Sequence, residues 1–282
     1  MSILTKKLFL TVKDYSFSKE EFDLRLDESL GLLSTYPQPD PSKLSRYYDS
    51  DDYISHTDLK RSLFEKMYHL VKEIALRNKL GIINKMQTKK GQLLDIGAGT
   101  GDFLMAAKKN GWQTIGVEPS QKANAIATQK GLSYIESTAV IESHSVDVIT
   151  MWHVLEHVPN LQNQIIELQR LLKPNGIIFI AVPNFNSYDA KYYKEFWAGY
   201  DVPRHLWHFS KTAIKILFER EKLQLIITIP MLFDAFYVSL LSEKYKSGKM
   251  NFIKAFLIAI KSNLAGYRSK EFSSHIYVIK HI

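Results

Sequence analysis

The stretch from Gln92 to Phe103 constrains this chain more than any other. It reads Gln-Leu-Leu-Asp-Ile-Gly-Ala-Gly-Thr-Gly-Asp-Phe, with glycines alternating at Gly97, Gly99 and Gly101. Apolar residues lead into it and a helix-like segment, Phe103 to Lys109, follows, so the pattern predicts a strand, a tight turn and a helix. Such a turn presents bare backbone and a helix N-terminus to a ligand. The spacing is G-x-G-x-G, not the G-x-G-x-x-G of the dinucleotide fingerprint, and the acid Asp95 stands at the end of the strand before the first glycine. A second short strand, Gln113 to Val117, ends in Glu118, whose carboxylate could accept hydrogen bonds from both hydroxyls of a ribose. The pair of features fits a nucleoside ligand with no pyrophosphate.

Three further blocks follow in order. They are Gly116-Val117-Glu118-Pro119, then Asp147-Val148-Ile149 running on to Leu155-Glu156-His157-Val158, then Leu171-Leu172-Lys173-Pro174-Asn175-Gly176. With the glycine turn they resemble the class I S-adenosylmethionine-dependent methyltransferases over roughly residues 90 to 185. The resemblance implies a Rossmann-like α/β fold: a seven-stranded, mostly parallel sheet with helices on both faces and an antiparallel last strand. It also implies S-adenosylmethionine as cofactor and S-adenosylhomocysteine as product.

The chain of 282 residues is 45% apolar, ordinary for a soluble globular protein. It holds no cysteine, which excludes disulfides and thiolate metal sites. Lys6 and Lys7 precede only Leu8-Phe9-Leu10, too short a run for a signal peptide, and the longest later run, Ala255 to Ile260, is too short to span a bilayer. A cytoplasmic protein is the expectation. The net charge of +8 is regional: residues 1 to 60 carry 11 acids and 8 bases, whereas residues 231 to 282 carry 8 bases and 3 acids. No RNA-binding module is recognisable, so the expected partner is a small-molecule acceptor and not nucleic acid. A peripheral membrane contact through the basic 244–270 region and a homodimer stay open.

Residues 1 to 56 are polar, with Pro37, Pro39 and Pro41 ruling out a helix there and Leu8 to Val12 readable as a strand. A tyrosine-rich stretch, Tyr47 to His56, leads into an amphipathic helix predicted from about Asp58 to Lys79, with Leu63, Met67, Leu70, Val71 and Ile74 at helical spacing. Strands are then expected at 92–96, 113–117, 133–136, 146–152, 176–182, 223–230 and 273–280, and helices near 101–110, 119–130, 161–172 and 211–222. This divides the chain into an extension, residues 1–88, over the cofactor and acceptor site, and a methyltransferase domain, residues 89–282. A helical cap, Met231 to Lys270, precedes the last strand. In it Asn251 is a candidate N-cap, and Phe252, Phe256, Ile260 and Leu264 share one face that needs a partner. In a subset of the family an N-terminal segment similar to Glu21–Tyr48 carries a cysteine knuckle. Here Asp27 and Leu30 stand near its expected C-x-x-C, so the resemblance implies a lost metal.

Parallel sheets bind ligands beyond the carboxyl ends of their strands. The resemblance therefore places cofactor contacts at Asp95, Gly97, Ala98, Gly99, Gly101, Glu118, Pro119, Trp152 and His153, with Ser137 and Thr138 standing where relatives carry an adenine-side acid. A histidine suits removal of an acceptor proton because its reference pKa lies near neutrality. Candidates are His153, His157, His205 and His208, the last two in a Pro-Arg-His-Leu-x-His-Phe-Ser segment at Pro203–Ser210 similar to one in that subset. His153-x-x-Glu156-His157 also looks like a divalent-metal motif of O-methyltransferases with its first ligand changed to His. The expectation adopted is O-methylation with a histidine base and no metal. The alternatives are a catalytically inactive cofactor-binding scaffold and an RNA methyltransferase.

Overall fold

The computed structural model describes residues 6–40, 46–47 and 63–282, with side chains of the first helix described from residue 71 onward. Most of the Tyr47–His56 stretch therefore lies outside the described residues. Three strands open the chain, β1 (Lys7–Lys13), β2 (Glu21–Asp27) and β3 (Leu32–Tyr36), followed by a long helix, α1 (Leu63–Met86). The predicted start at 58–62 lies outside the described residues. The helix continues past Lys79 and across Gly81 because Leu80 and Ile83 bury against Leu93 and Leu104, and that packing outweighs the helix cost of one glycine, about 1 kcal/mol.

From Gln92 the expected alternation holds. It runs β4 (Gln92–Ile96), α2 (Asp102–Lys109), β5 (Gln113–Val117), α3 (Gln121–Gln129), β6 (Tyr134–Ile135), β7 (Val146–Trp152), α4 (Leu161–Leu171) and β8 (Leu172–Pro183). There follow α5 (Tyr188–Tyr193), β9 (Trp207–Phe209), α6 (Lys211–Glu219), β10 (Leu223–Pro230), α7 (Asp234–Ser247), α8 (Phe252–Ser269) and β11 (Ser274–His281).

Seven strands form one sheet in the order β10-β11-β8-β7-β4-β5-β6, all parallel except β11, which runs antiparallel to both neighbours. Successive side chains point to opposite faces, so each strand supplies two cores. Leu94, Ile96, Ile178 and Ile180 pack with Ile165, Leu168 and Phe218 of α4 and α6 on one face. Leu93, Ile177 and Phe179 pack with Leu80, Ile83, Leu104 and Ala107 of α1 and α2 on the other. The chain leaves β4 toward β5 and β6, then returns to place β7 on β4's other side. The switch point opens a crevice at the carboxyl ends of β4 and β7.

Two features depart from expectation. The polar N-terminal region is a second sheet, β1-β2-β3-β9, closed by three residues from the far side of the chain: Leu32, Leu33 and Ser34 pair with Phe209, His208 and Trp207. The stretch 231–270 is a hairpin of two helices, the second beginning after Asn251. Asn251 caps α8, its side chain accepting the Lys254 N–H at 3.0 Å, as the sequence indicates. Its bulky apolar face, however, points outward. Ala255, Ile258, Ala259, Ser262 and Gly266 form the inner face, and at its end only glycine permits the close approach: a Cβ on Gly266 would lie 2.6 Å from Phe272.

Candidate active site

The glycine turn follows β4 with Gly97, Gly99 and Gly101 all in the left-handed region, at φ 71°, 53° and 80°. The Gly97 and Ala98 amides donate to the Val117 carbonyl at 2.7 and 3.1 Å, tying the turn to the end of β5. Glu118 holds it from the other side. One carboxylate oxygen accepts the Gly99 N–H at 2.9 Å and the other accepts the Ser120 N–H at 2.9 Å. Pro119 lies exposed between Glu118 and the Ser120 cap of α3. A Cβ added at Gly97 would strike Val154 at 2.4 Å, whereas one at Gly99 would meet nothing within 4 Å. Gly99 thus faces open space over an ordered backbone, a cradle for a ligand. A carboxylate has about four acceptor positions, so Glu118 keeps two for hydroxyls. The residues fit an adenosyl group.

Asp95 is buried beneath the turn, 2% exposed, and accepts the Thr150 hydroxyl at 2.5 Å. Burial raises its pKa to about 7, against the Thr150 hydrogen bond and the nearby Lys79 ammonium. Ser137 and Thr138 lie past β6 and are engaged locally: Ser137 Oγ accepts the Ala139 N–H at 3.2 Å, and the Thr138 carbonyl accepts from Arg170 at 3.2 Å. Trp152 ends β7 with its ring edge-on to Phe103 at 5.3 Å and its buried indole N–H without a hydrogen-bond partner among the described residues.

His153, at φ 58°, lies between two carboxylates, 3.1 Å from Asp234 at Nε2 and 3.4 Å from Glu156 at Nδ1. Burial opposes its charge, but the two acids prevail and raise its pKa to about 9, so it is an imidazolium at neutral pH. Asp234 and Lys79, whose ammonium lies 4.4 Å over the Trp152 ring, are site residues that sequence reasoning missed. Each arrives from an element distant in sequence, the first turn of α7 and the middle of α1.

Beside His153, a short helical turn at Leu155–His157 aims Glu156 inward, 1% exposed, with the His153 imidazolium 3.4 Å away as its ion-pair partner. His157 Nδ1 lies 3.0 Å from the Arg204 carbonyl and His205 Nδ1 lies 3.0 Å from the Gly199 carbonyl. A carbonyl only accepts, so each Nδ1 carries a proton. The two rings meet edge to face at 4.6 Å, and ligand atoms of Glu156, His157 and His205 all lie within 4.8 Å of one another. Burial, with His157 nearby, pushes the His205 pKa down to about 4, so this imidazole is neutral at pH 7. His208 stands one layer back, its ring 6.2 Å from that of His205 and its Nε2 3.1 Å from the Thr35 hydroxyl in β3. Arg204 anchors the loop. It reaches Asp201 at 2.5 Å, the Tyr47 carbonyl at 3.0 Å and Asp14 at 3.4 Å while only 4% exposed.

Comparison with known proteins agrees with this geometry. A methyltransferase-domain family model matches residues 59–226. A ubiquinone biosynthesis O-methyltransferase of Vibrio cholerae is 30% identical over 164 residues, 55% of this chain and 64% of that protein, and a namesake of Yersinia enterocolitica is 33% identical over 108 residues, 34% of this chain and 44% of that protein. The chain thus spans less than two thirds of the curated relatives it matches. Among solved structures, an S-adenosylmethionine-dependent methyltransferase of Thermotoga maritima superposes with a TM-score of 0.54 at 17% identity, covering 77% of this chain and 94% of that one. The geranyl diphosphate C-methyltransferase of Streptomyces coelicolor gives 0.54 at 14% identity, covering 80% and 88%. With the family model matching more than half of its length and the sheet order placing the glycine cradle at the switch point, the chain belongs to the class I S-adenosylmethionine-dependent methyltransferases.

Proposed function

We propose that the protein methylates a hydroxyl oxygen on a small-molecule or lipid-borne acceptor. The observation that carries this reading is the group of Glu156, His157 and His205 in one largely buried cluster beside the glycine cradle, with the His205 proton held on Nδ1 so that its Nε2 can accept another. The namesake relatives act in ubiquinone biosynthesis, which makes a phenolic hydroxyl the first acceptor to test.

S-adenosylmethionine supplies a methyl group activated by a positive sulfur. Glu118 and the Gly97–Gly101 turn hold the adenosyl part, and Trp152 borders it. Displacement at that carbon asks the protein mainly for alignment and exclusion of water. His205 takes the acceptor proton at Nε2. The imidazolium then formed lies 4.0 Å from Glu156 and 3.9 Å from Asp201, whose charges offset part of the burial that still holds its pKa near 4. His157 flanks the acceptor, and His208 positions the loop through Thr35. Replacing His205 by Asn should lower turnover about 10²–10⁴-fold with cofactor affinity nearly intact. Steady release of S-adenosylhomocysteine on a panel of phenols is the direct assay, and cofactor binding with no turnover on any acceptor would favour an inactive scaffold.

The buried Glu156 carboxylate carries a second reading. Two imidazoles fixed at Nδ1 by carbonyls, together with a buried carboxylate, fit a divalent ion. The ligand set would be Glu156, His157 and His205, with His153 held between Glu156 and Asp234. Calorimetric titration of chelator-treated protein with Mg²⁺ or Zn²⁺ tests binding apart from activity.

The turn between β2 and β3 supports the lost-knuckle reading. Asp27 accepts from the Ser29 amide and hydroxyl and the Leu30 amide at 3.1, 2.6 and 3.2 Å, a carboxylate closing the turn that a metal would close. On this reading residues 1–88 cover the site of a domain spanning 89–282.

A further inference from the structure

The helical hairpin α7–α8 turns an apolar face to solvent. On α8, Ile253 is 78% exposed, Leu264 61%, Phe256 55% and Leu257 53%, spaced so that they form one stripe, and Phe233 ahead of α7 is 43% exposed. The opposite side of α8 is already packed, so this stripe is not a core face displaced by poor fit. Bulky apolar side chains in water on one contiguous surface mark an interaction site.

Charge selects the partner. Residues 231–270 hold seven bases and two acids. Both acids turn inward: Asp234 lies 3.1 Å from His153, and the Glu243 side chain is 1% exposed, 3.1 Å from Lys254. Lys249, Lys261 and Arg268 stay exposed around the stripe. A second copy of this chain would set like charge against like across a two-fold axis. RNA would satisfy the bases but not the stripe. An anionic bilayer satisfies both, with apolar side chains entering the boundary of headgroups and acyl chains and bases at the phosphates.

We propose that the outer face of α7–α8 docks the protein on anionic membrane surface through Ile253, Phe256, Leu257 and Leu264, with Lys249, Lys261 and Arg268 at the lipid phosphates. The attachment is peripheral, because no helix among the described residues is long and apolar enough to cross a membrane. It uses none of the residues assigned to methyl transfer and stands apart from that reading.

Flotation of the full chain with phosphatidylcholine vesicles, with and without phosphatidylglycerol, tests it. The protein should partition onto the phosphatidylglycerol vesicles and release as salt rises. Ile253→Ser with Leu257→Ser should weaken partition about tenfold or more, from lost apolar burial. Lys249→Glu with Lys261→Glu should remove the preference for phosphatidylglycerol. These side chains are exposed, and unchanged calorimetric affinity for S-adenosylhomocysteine checks that each variant folds. No partition onto phosphatidylglycerol vesicles, or partition indifferent to both variants, overturns the inference. So does a dimer in light scattering that the serine variant dissolves while vesicles capture nothing.

Discussion

Removal of the Glu118 carboxylate tests the cofactor assignment most sharply. In the free protein both oxygens are already occupied, by the Gly99 and Ser120 amides at 2.9 Å each, and each oxygen has one acceptor position left. If those positions hold two ribose hydroxyls, Glu118→Ala removes two charge-assisted hydrogen bonds at about 1.5 kcal/mol or more apiece. The pair is then about 3 kcal/mol, near a hundredfold in Kd. Glu118→Gln should do little better, since whichever backbone amide faces the new NH₂ meets a donor instead of an acceptor. Stability should change less, by about 1 kcal/mol, because Glu118 is half-buried and water can replace it at the two amides. Titration calorimetry with S-adenosylhomocysteine gives Kd and thermal melting gives stability. If the alanine variant bound within threefold of the parent, the ribose assignment would fail and Glu118 would be only a brace for the turn.

Two neighbouring glycines should separate folding from binding. Gly97→Ala combines a left-handed φ with a 2.4 Å clash on Val154 and should lose stability and binding together; Gly99→Ala meets open space, should lose only about 1–2 kcal/mol of stability to φ strain, and should still obstruct the cofactor. Arg204→Ala leaves Asp14 and Asp201 without their shared buried cation and should lower stability by roughly 3–5 kcal/mol, read as a fall in denaturant midpoint. Burial, with Lys211 nearby, pushes the His275 pKa down to about 4. The unfolded chain protonates below about 6.5 while the folded one does not, so stability should be full above that pH and fall as pH drops toward 4, and His275→Gln should flatten this acid limb in melts.

The sheet was legible because its signals are local. Strands β4, β5, β7 and β10 begin and end where apolar runs do, and the Ser210 cap of α6 reads directly from sequence, its hydroxyl accepting the Ala213 N–H at 3.0 Å. What sequence hid is set by pairing across the chain. β2 does alternate, with Phe22, Leu24 and Leu26 on one face, but β9 is three residues long and exists because residue 32 meets residue 209. Lys79 and Asp234 belong to no motif, and only the packing of α1 and α7 brings them to Trp152 and His153. The four histidines were found by type. Their ranking needed coordinates, which put His208 against Thr35 and His205 beside Glu156.

The position of β11 bears on how the molecule is made. The strand sits between β8 and β10, yet it follows both in sequence, and among the described residues β10 pairs with no other strand. Strands β4 to β7, with the cradle between them, lie close together in sequence and can associate early during synthesis. The acceptor side cannot. Its loop waits for β3 to find β9, and the neighbouring hairpin stays tethered at one end only until β11 slides in between two waiting strands. Until then β8 and β10 present open edges with apolar side chains. A nascent chain stalled in this interval could already hold its cofactor cradle while its apolar strands remain unpaired, and it is at this step that a chaperone would have the most to protect.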